Sequence, residues 1–524
     1  MGAPVSLNPD ADGRNVRRIF WALLLIGGSG AALAQDRPNI ILIFSDDHAL
    51  RAVSAYGDAL IETPGVDRIA EEGMLFRHAT VTNSICGPSR AALLTGKFSH
   101  LNGIYANGEQ FDGSQPTLPK YLQAHGYETA IIGKWHLGSE PTGFDHWDVL
   151  PGQGSYFQPT FISERGETIY GGYVTDVIGQ KTIDWLEHQR AGDRPFFLMS
   201  QHKAPHRGWM PPVRHLNLYV DEAFPEPDTL FDTYEGRASG AAQQEMTLAR
   251  HFTFVDLKIM PDANDLAVRA DRTPAENGWR RALSRLTPDQ RQAYREALAE
   301  RNRPFAELSS DSDDWVRYTY QRYMQDYLAV ITAMDENIAR LLDYLDASGL
   351  AQNTIVIYTS DQGFYLGEHG WYDKRWMYEE SLHTPLVIRW PGVTPRDSET
   401  SALIQNIDIA PTLLEAVGAA APDDMQGESF MPLLRGEEPE GWRDAIYYHY
   451  YEGPPAVHAV ARHYGVRSER YKLIHYYDLD EWELFDLERD PNETQSVYGD
   501  PGYRDIQAGM LERLGELREQ YGDT

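Results

Sequence analysis

Five short runs of apolar, largely β-branched or aromatic residues punctuate the chain: Asn39 to Phe44, Thr129 to Ile132, Phe196 to Met199, Thr354 to Tyr358 and Leu386 to Ile388. Runs of this length with little polar alternation predict strands buried on both faces. Between them the period changes. Leu328, Ile331, Ile338, Leu341, Leu342 and Leu345 fall on one helical face ahead of Gly349, which predicts an amphipathic helix with a C-terminal stop. Strands alternating with helices predict an α/β fold with a large, mostly parallel mixed sheet flanked by helices, and ligands just beyond the carboxyl ends of its strands.

The polar residues follow that rule. Asp46 and Asp47 come after the first run, Lys134 and His136 after the second, His202, Lys203 and His206 after the third, and Asp361 and Gln362 after the fourth. One polar cluster at a strand end is ordinary, because strands must end in something polar. Four with complementary chemistry point to a shared site.

From about residue 210 to 325 the pattern loosens into Pro-containing loops and charged helices, including Arg280 to Arg303, which predicts an insertion in a catalytic domain spanning 35–440. Beyond about 441, Tyr447 to Tyr451, Arg470 to Tyr477 and Trp482 to Leu487 predict a smaller C-terminal subdomain with an antiparallel sheet, closed by a helix from about Tyr503 to Tyr521. At the other end, Arg14, Arg17 and Arg18 precede a short apolar run from Ile19 to Ile26 and then Ala32-Leu33-Ala34, the layout of a cleavable signal peptide over residues 1–34. The run is too short for an ordinary membrane-spanning helix, so the expectation is a periplasmic or secreted protein without an integral membrane anchor. Arg17-Arg18 leaves twin-arginine and ordinary secretory export both open.

Charge narrows the partners. With 78 acidic and 47 basic residues the net charge is −31, a field that repels nucleic acid. Cys86, the single cysteine, can form neither an internal disulfide nor a thiolate metal cluster. Asp46, Asp47 and Asp361 offer hard anionic oxygens and Gln362 an amide oxygen, a set suited to Ca²⁺ and poorly suited to zinc. Carboxylates a few ångströms apart repel by about 4 kcal/mol per pair at an effective dielectric of 20, and a bound cation removes that repulsion.

Cys86-Gly87-Pro88-Ser89-Arg90, with Leu94-Thr95-Gly96 behind it, resembles the signature of the type I sulfatases, whose cysteine is oxidised after synthesis to Cα-formylglycine. Gly133-Lys134-Trp135-His136-Leu137-Gly138 is similar to that family's second signature. The resemblance runs from about Pro38 to Pro491 and implies the alkaline-phosphatase-like sulfatase fold. It further implies one Ca²⁺ shared by Asp46, Asp47, Asp361, Gln362 and the oxidised residue 86, with Gln362 standing where relatives commonly have Asn or His. Arg90 would hold the aldehyde hydrate, Lys134 and Lys374 would bracket the sulfate, His136 would deprotonate the hydrate, and His206 would assist departure of the alcohol. One hydroxyl of the hydrate attacks sulfur, and loss of a proton from the other expels sulfate, which neither serine nor cysteine could do. A maturation enzyme that generates formylglycine is an implied partner.

Leu150 to Tyr156, Lys203-Ala204-Pro205-His206 and Glu481 to Leu487 resemble bacterial carbohydrate sulfatases, including those of the N-acetylglucosamine-6-sulfatase type. The implied substrate is a sulfated carbohydrate, with Lys203, His458, Arg462 and His463 as candidate substrate contacts. Packing against the tyrosine-rich strands is an equal reading of the last three. Two alternatives stay open: a phosphoester or phosphonate monoester hydrolase of the same superfold, and an inactive glycan-binding relic. His202, His369 and His383 are read as structural.

Overall fold

The computed structural model describes residues 1–2, 37–192, 194–253, 255–259 and 274–523; the signal-peptide reading falls on residues outside this set. Residues from Arg37 onward form one compact unit built on a ten-stranded sheet. Across the sheet the strands run Ser398–Gln405, Met74–Thr80, Leu386–Arg389, Thr354–Ser360, Asn39–Ser45, Phe196–Gln201, Glu128–Lys134, His146–Leu150, Thr160–Ser163 and Gly166–Ile169.

The four central strands are mutually parallel. Asn39–Ser45 pairs with Thr354–Ser360 on one side and Phe196–Gln201 on the other, which in turn pairs with Glu128–Lys134. All four are buried along their whole length, which is why they lack polar alternation. Successive side chains enter different cores: Ile41 and Ile43 pack with helices Pro64–Glu71, Val174–Asp184 and Asp313–Ala347, whereas Ile40, Leu42 and Phe44 pack with Cys86–Thr95, Leu118–Ala124 and Ile409–Ala416. Helices therefore cover both faces, and the shared carboxyl edge is left for chemistry.

Each of the five predicted strands is present, extended by one to three residues. The helix anticipated around Leu328 to Leu345 begins much earlier, at Asp313, so the loosely patterned stretch ends inside helix. A separate antiparallel sheet orders Ala445–Tyr450, His463–Ser468, Tyr471–Tyr476 and Glu481–Asp486, and Arg504–Tyr521 packs on it through Met510, Leu514 and Leu517. Among the described residues, no helix is long and apolar enough to cross a membrane.

Candidate active site

The carboxyl ends of the central strands converge on Cys86, which opens the fully buried helix Cys86–Thr95. Gly87 comes within 3.1 Å of Asn107 Oδ1 at its would-be Cβ and donates its N–H to the same oxygen at 2.9 Å, so a side chain there would crowd the start of this helix. Asp46 and Asp47 leave the Asn39–Ser45 strand in a turn with Asp47 at φ 69°, a left-handed conformation uncommon for a non-glycine residue. The turn is fastened from behind: Tyr327 Oη donates to Asp47 O at 2.7 Å and accepts from Ala49 N at 2.8 Å, while Asp47 N donates to Asp361 Oδ1 at 3.0 Å.

One atom each from Asp46, Asp47, Cys86 and Asp361 lies within 4.8 Å of the others, and all four residues are fully buried. Lys134 pairs with Asp46, and Lys374 with Asp47. Lys374 Nζ also lies 3.3 Å from Cys86 Sγ. Arg90 binds the cluster together, donating to Asp361 Oδ2 at 3.0 Å, Lys134 O at 2.9 Å and Gln201 Oε1 at 2.5 Å. Gln362 Nε2 contacts both Asp47 and Asp361.

Burial drives the protonation of this cluster, and the cations decide which carboxylate resists. Burial pushes Asp361 up to about 8, reinforced by Asp46, and pushes Asp47 up to about 6 against the pull of Lys374. The same burial would raise Asp46, but Lys134, His206 and Arg90 hold it well below the usual carboxylate range. Burial, with Asp46 beside it, raises the Cys86 thiol, so the unmodified cysteine is no thiolate nucleophile. Asp46 Oδ1, Asp47 Oδ2 and Gln362 Oε1 are buried without a hydrogen-bond partner. Orphaned oxygens on clustered acids fit a hard cation, and turning the Gln362 amide exchanges its nitrogen for its oxygen at the carboxylates.

His206 and His136 flank the cluster. His206 Nε2 is 3.8 Å from Asp47 Oδ2, and burial together with Lys134 holds its imidazole well below the ordinary value. His136, at φ 57°, has a buried Nδ1 without a partner and is depressed by the same two causes. Beyond His206 opens a cavity of about 460 Å³ whose lining includes Gln153, Tyr156, Lys203, Arg207, Asp256 and Arg285.

The structure divides the remaining candidates. Lys203 lines the cavity. His458 does not: its ring nitrogens face Glu245 O at 2.8 Å and Asp373 Oδ2 at 2.9 Å, next to Lys374. Arg462 is exposed and forks onto Asp478 at 2.7 Å. His463 is a core residue, correcting the substrate-contact expectation: it is fully buried, stacks with Trp376, Tyr448 and Tyr450, and accepts from Met377 N at 3.1 Å. His369 and His383 are buried beside acidic side chains, and His202 is buried with its Nδ1 lacking a hydrogen-bond partner. The sequence reading missed Gln201, Tyr327 and the pair Arg207–Asp256. Gln153, which accepts from Lys134 at 2.6 Å, lay unremarked within the Leu150 to Tyr156 motif.

Three buried aspartates paired with two lysines and an arginine beside Cys86 make a site with the charges that hydrolysis of an anionic ester requires. The chain belongs to the sulfatase family, whose model matches residues 38–419, and it is a sulfuric ester hydrolase. A second model, N-sulphoglucosamine sulphohydrolase, C-terminal, matches residues 367–520. An N-acetylglucosamine-6-O-sulfatase of Bacteroides thetaiotaomicron is 46% identical over 495 residues, covering 93% of this chain and 87% of that protein. A solved structure of a protein in complex with its substrate D-glucosamine-2-N,6-O-disulfate has a TM-score of 0.90 at 45% identity, covering 93% of this chain and 99% of that one. A phosphonate monoester hydrolase of Agrobacterium radiobacter shares the fold alone, with a TM-score of 0.64 at 22% identity over 93% of this chain and 96% of that one.

Proposed function

We propose that the protein is an exported carbohydrate sulfatase that removes the 6-O-sulfate from a glucosamine-type residue at the end of an oligosaccharide. The observation that carries the reading is the 45% identity and TM-score of 0.90 with the protein bound to glucosamine-2-N,6-O-disulfate. The chain's charge of −31 supports short substrates, since long, densely sulfated polymers are repelled at low salt. Export rests on the arginines and short apolar run within residues 14–34.

Residue 86, once converted to formylglycine, supplies a hydrated aldehyde oxygen as nucleophile, and a Ca²⁺ ion held by Asp46, Asp47, Asp361 and Gln362 supplies positive charge against the sulfate. The chain's own residues do the rest. Lys134 and Lys374, paired with Asp46 and Asp47 respectively, bind sulfate oxygens. Arg90 fixes Asp361 and the Lys134 backbone in one fork, so nucleophile and metal ligands keep their spacing. His136 is the base for the proton at residue 86, and His206 Nε2 delivers a proton to the departing alcohol. Both imidazoles are held neutral in the resting site, and an entering sulfate raises their proton affinity at the moment the acid is needed.

The test is sulfate release measured by ion chromatography, using protein co-expressed with a formylglycine-generating enzyme and verified by peptide mass at residue 86. Release from glucosamine 6-sulfates, with little from 3-O-sulfated glucosamine, galactosamine 6-sulfate or aryl phosphate, is expected. Fully converted protein that leaves every 6-sulfated glucosamine intact would sink the reading.

A further inference from the structure

The 460 Å³ cavity is of a size that takes a small ligand, and it joins the sulfate pocket through Gln153 and His206. Its charge is inverted relative to the chain. Lys203, Arg207, Arg281 and Arg285 line it, against the single carboxylate of Asp256. That carboxylate is consumed by Arg207 through two bonds of 2.8 and 2.7 Å, and by the Thr253 N–H and hydroxyl.

The other three cations have no acid partner among the described residues. Arg285 is held in place by Gln158 O at 2.6 Å and Thr160 Oγ1 at 3.3 Å, both neutral, and Arg281 stands exposed on the wall. Lys203 is the telling one. It is 4% exposed, and its Nζ sits 4.7 Å from the centre of the Tyr156 ring, whose hydroxyl is pinned to His206 O at 2.7 Å. Burial, with Lys134 nearby, pushes its ammonium down to about 8. Asp46 and Asp47 favour the charged form without forming an ion pair with it, so these acids and the aromatic face compensate the buried ammonium only in part, and an anion in the cavity would complete the site.

We infer that this cavity is a subsite for a second sulfate on the same sugar residue, read by Lys203 with Arg281 and Arg285, so that doubly sulfated glucosamine is selected over its singly sulfated counterpart. The inference rests on the 6-O-sulfatase reading and refines it. A second anionic group gains contacts only if the sugar lies with one sulfate between Lys134 and Lys374 and the other facing the Tyr156 side, which also fixes the ring's orientation.

The experiment is kcat/KM for 6-O-desulfation of glucosamine-2-N,6-O-disulfate and of N-acetylglucosamine 6-sulfate by converted protein. The wild type is expected to prefer the disulfate at least tenfold. Lys203→Met should cut that preference to threefold or less, chiefly through KM for the disulfate. Arg281→Gln, on an exposed helix position, should cut it at least twofold and keeps the test alive if the lysine variant does not fold. A wild-type preference below threefold, or one that survives in folded variants, overturns the subsite. So does a uronate-linked N-acetyl disaccharide that matches the disulfate, because the anion would then belong to the neighbouring residue. Failure of the underlying reading looks different: neither sugar loses its 6-sulfate.

Discussion

Lys374 Nζ lies 3.3 Å from Cys86 Sγ while its neighbours Asp373 and Arg375 both adopt left-handed backbone, at φ 79° and 100°. Such conformations cost about 1–3 kcal/mol each and persist only where surroundings fix them. Here Arg375 N donates to Ser381 Oγ at 2.9 Å, Tyr448 Oη donates to Arg375 O at 2.6 Å, and His458 Nε2 meets Asp373 at 2.9 Å. Tyr448 and His458 come from the C-terminal part of the chain, so that part positions a lysine of the main site.

Lys374→Ala is expected to lower kcat about 10²- to 10³-fold, the usual loss for one preorganised donor to developing charge. Lys134→Ala should do likewise, and Cys86→Ala should abolish turnover while leaving the circular dichroism spectrum unchanged. Sulfate release from wild type and variants in parallel is the measurement; near-normal rates in the lysine variants would remove their assigned roles.

Prolonged dialysis against EDTA should strip activity and lower the melting temperature, with recovery on adding Ca²⁺. Asp361→Ala should reduce bound metal, measured by plasma mass spectrometry, below half of the wild-type stoichiometry. A metal-free preparation with unaltered kinetics would reject the metal assignment.

Tyr327→Phe removes a hydroxyl that serves two buried backbone groups, Asp47 O and Ala49 N. Each unsatisfied group costs about 1–3 kcal/mol. The variant should lose stability in urea by that order and bind Ca²⁺ more weakly, because the turn carrying Asp46 and Asp47 loosens. Unchanged metal affinity would confine Tyr327 to a purely structural role.

His369 gives a pH signature outside the main site. Burial would depress its imidazole, but the bond to Asp232 Oδ2 at 3.1 Å and the nearby Glu380 overcome both burial and Arg237 and raise it to about 9. The folded value lies above the unfolded one of about 6.5, so the stabilisation is complete below pH 6.5 and is lost as pH rises through 9. That interval corresponds to roughly 3 kcal/mol at about 1.4 kcal/mol per pH unit. Urea midpoints between pH 6 and 10 should fall for the wild type and fall less for His369→Gln; parallel curves would exclude the linkage.

The central strands were legible because burial on both faces leaves an uninterrupted apolar run, and the residues after them were legible because a parallel sheet delivers its ends to one edge. The outlying strands Thr160–Ser163 and Gly166–Ile169 carry no such run; the latter is the edge strand and is exposed throughout. Strand His463–Ser468 hid behind Gly465, whose missing side chain admits Leu473 O and Met377 Sδ to within 2.4 and 2.5 Å of a would-be Cβ. His463 misled for a related reason: it directly follows the charged Arg462, and the aromatic rings that enclose it come from three other segments. Gln201, Tyr327 and Arg207 act through partners more than 40 residues away, a relationship that spacing along the chain does not encode.

The Asp313–Ala347 helix spans about 50 Å at 1.5 Å per residue, and three of its attachments to other segments lie well inside its ends. Tyr327 holds the Asp47 turn, Asp335 accepts from Gly65 N and Val66 N at 2.8 and 2.9 Å, and Asn337 Nδ2 donates to Asp176 at 2.9 Å. Helices fray from their ends, so these anchor points open last. The amide hydrogens of Ala49, Gly65 and Val66 should therefore exchange with solvent only when the whole molecule unfolds, and the two aspartates inherit the slowest clock in the protein.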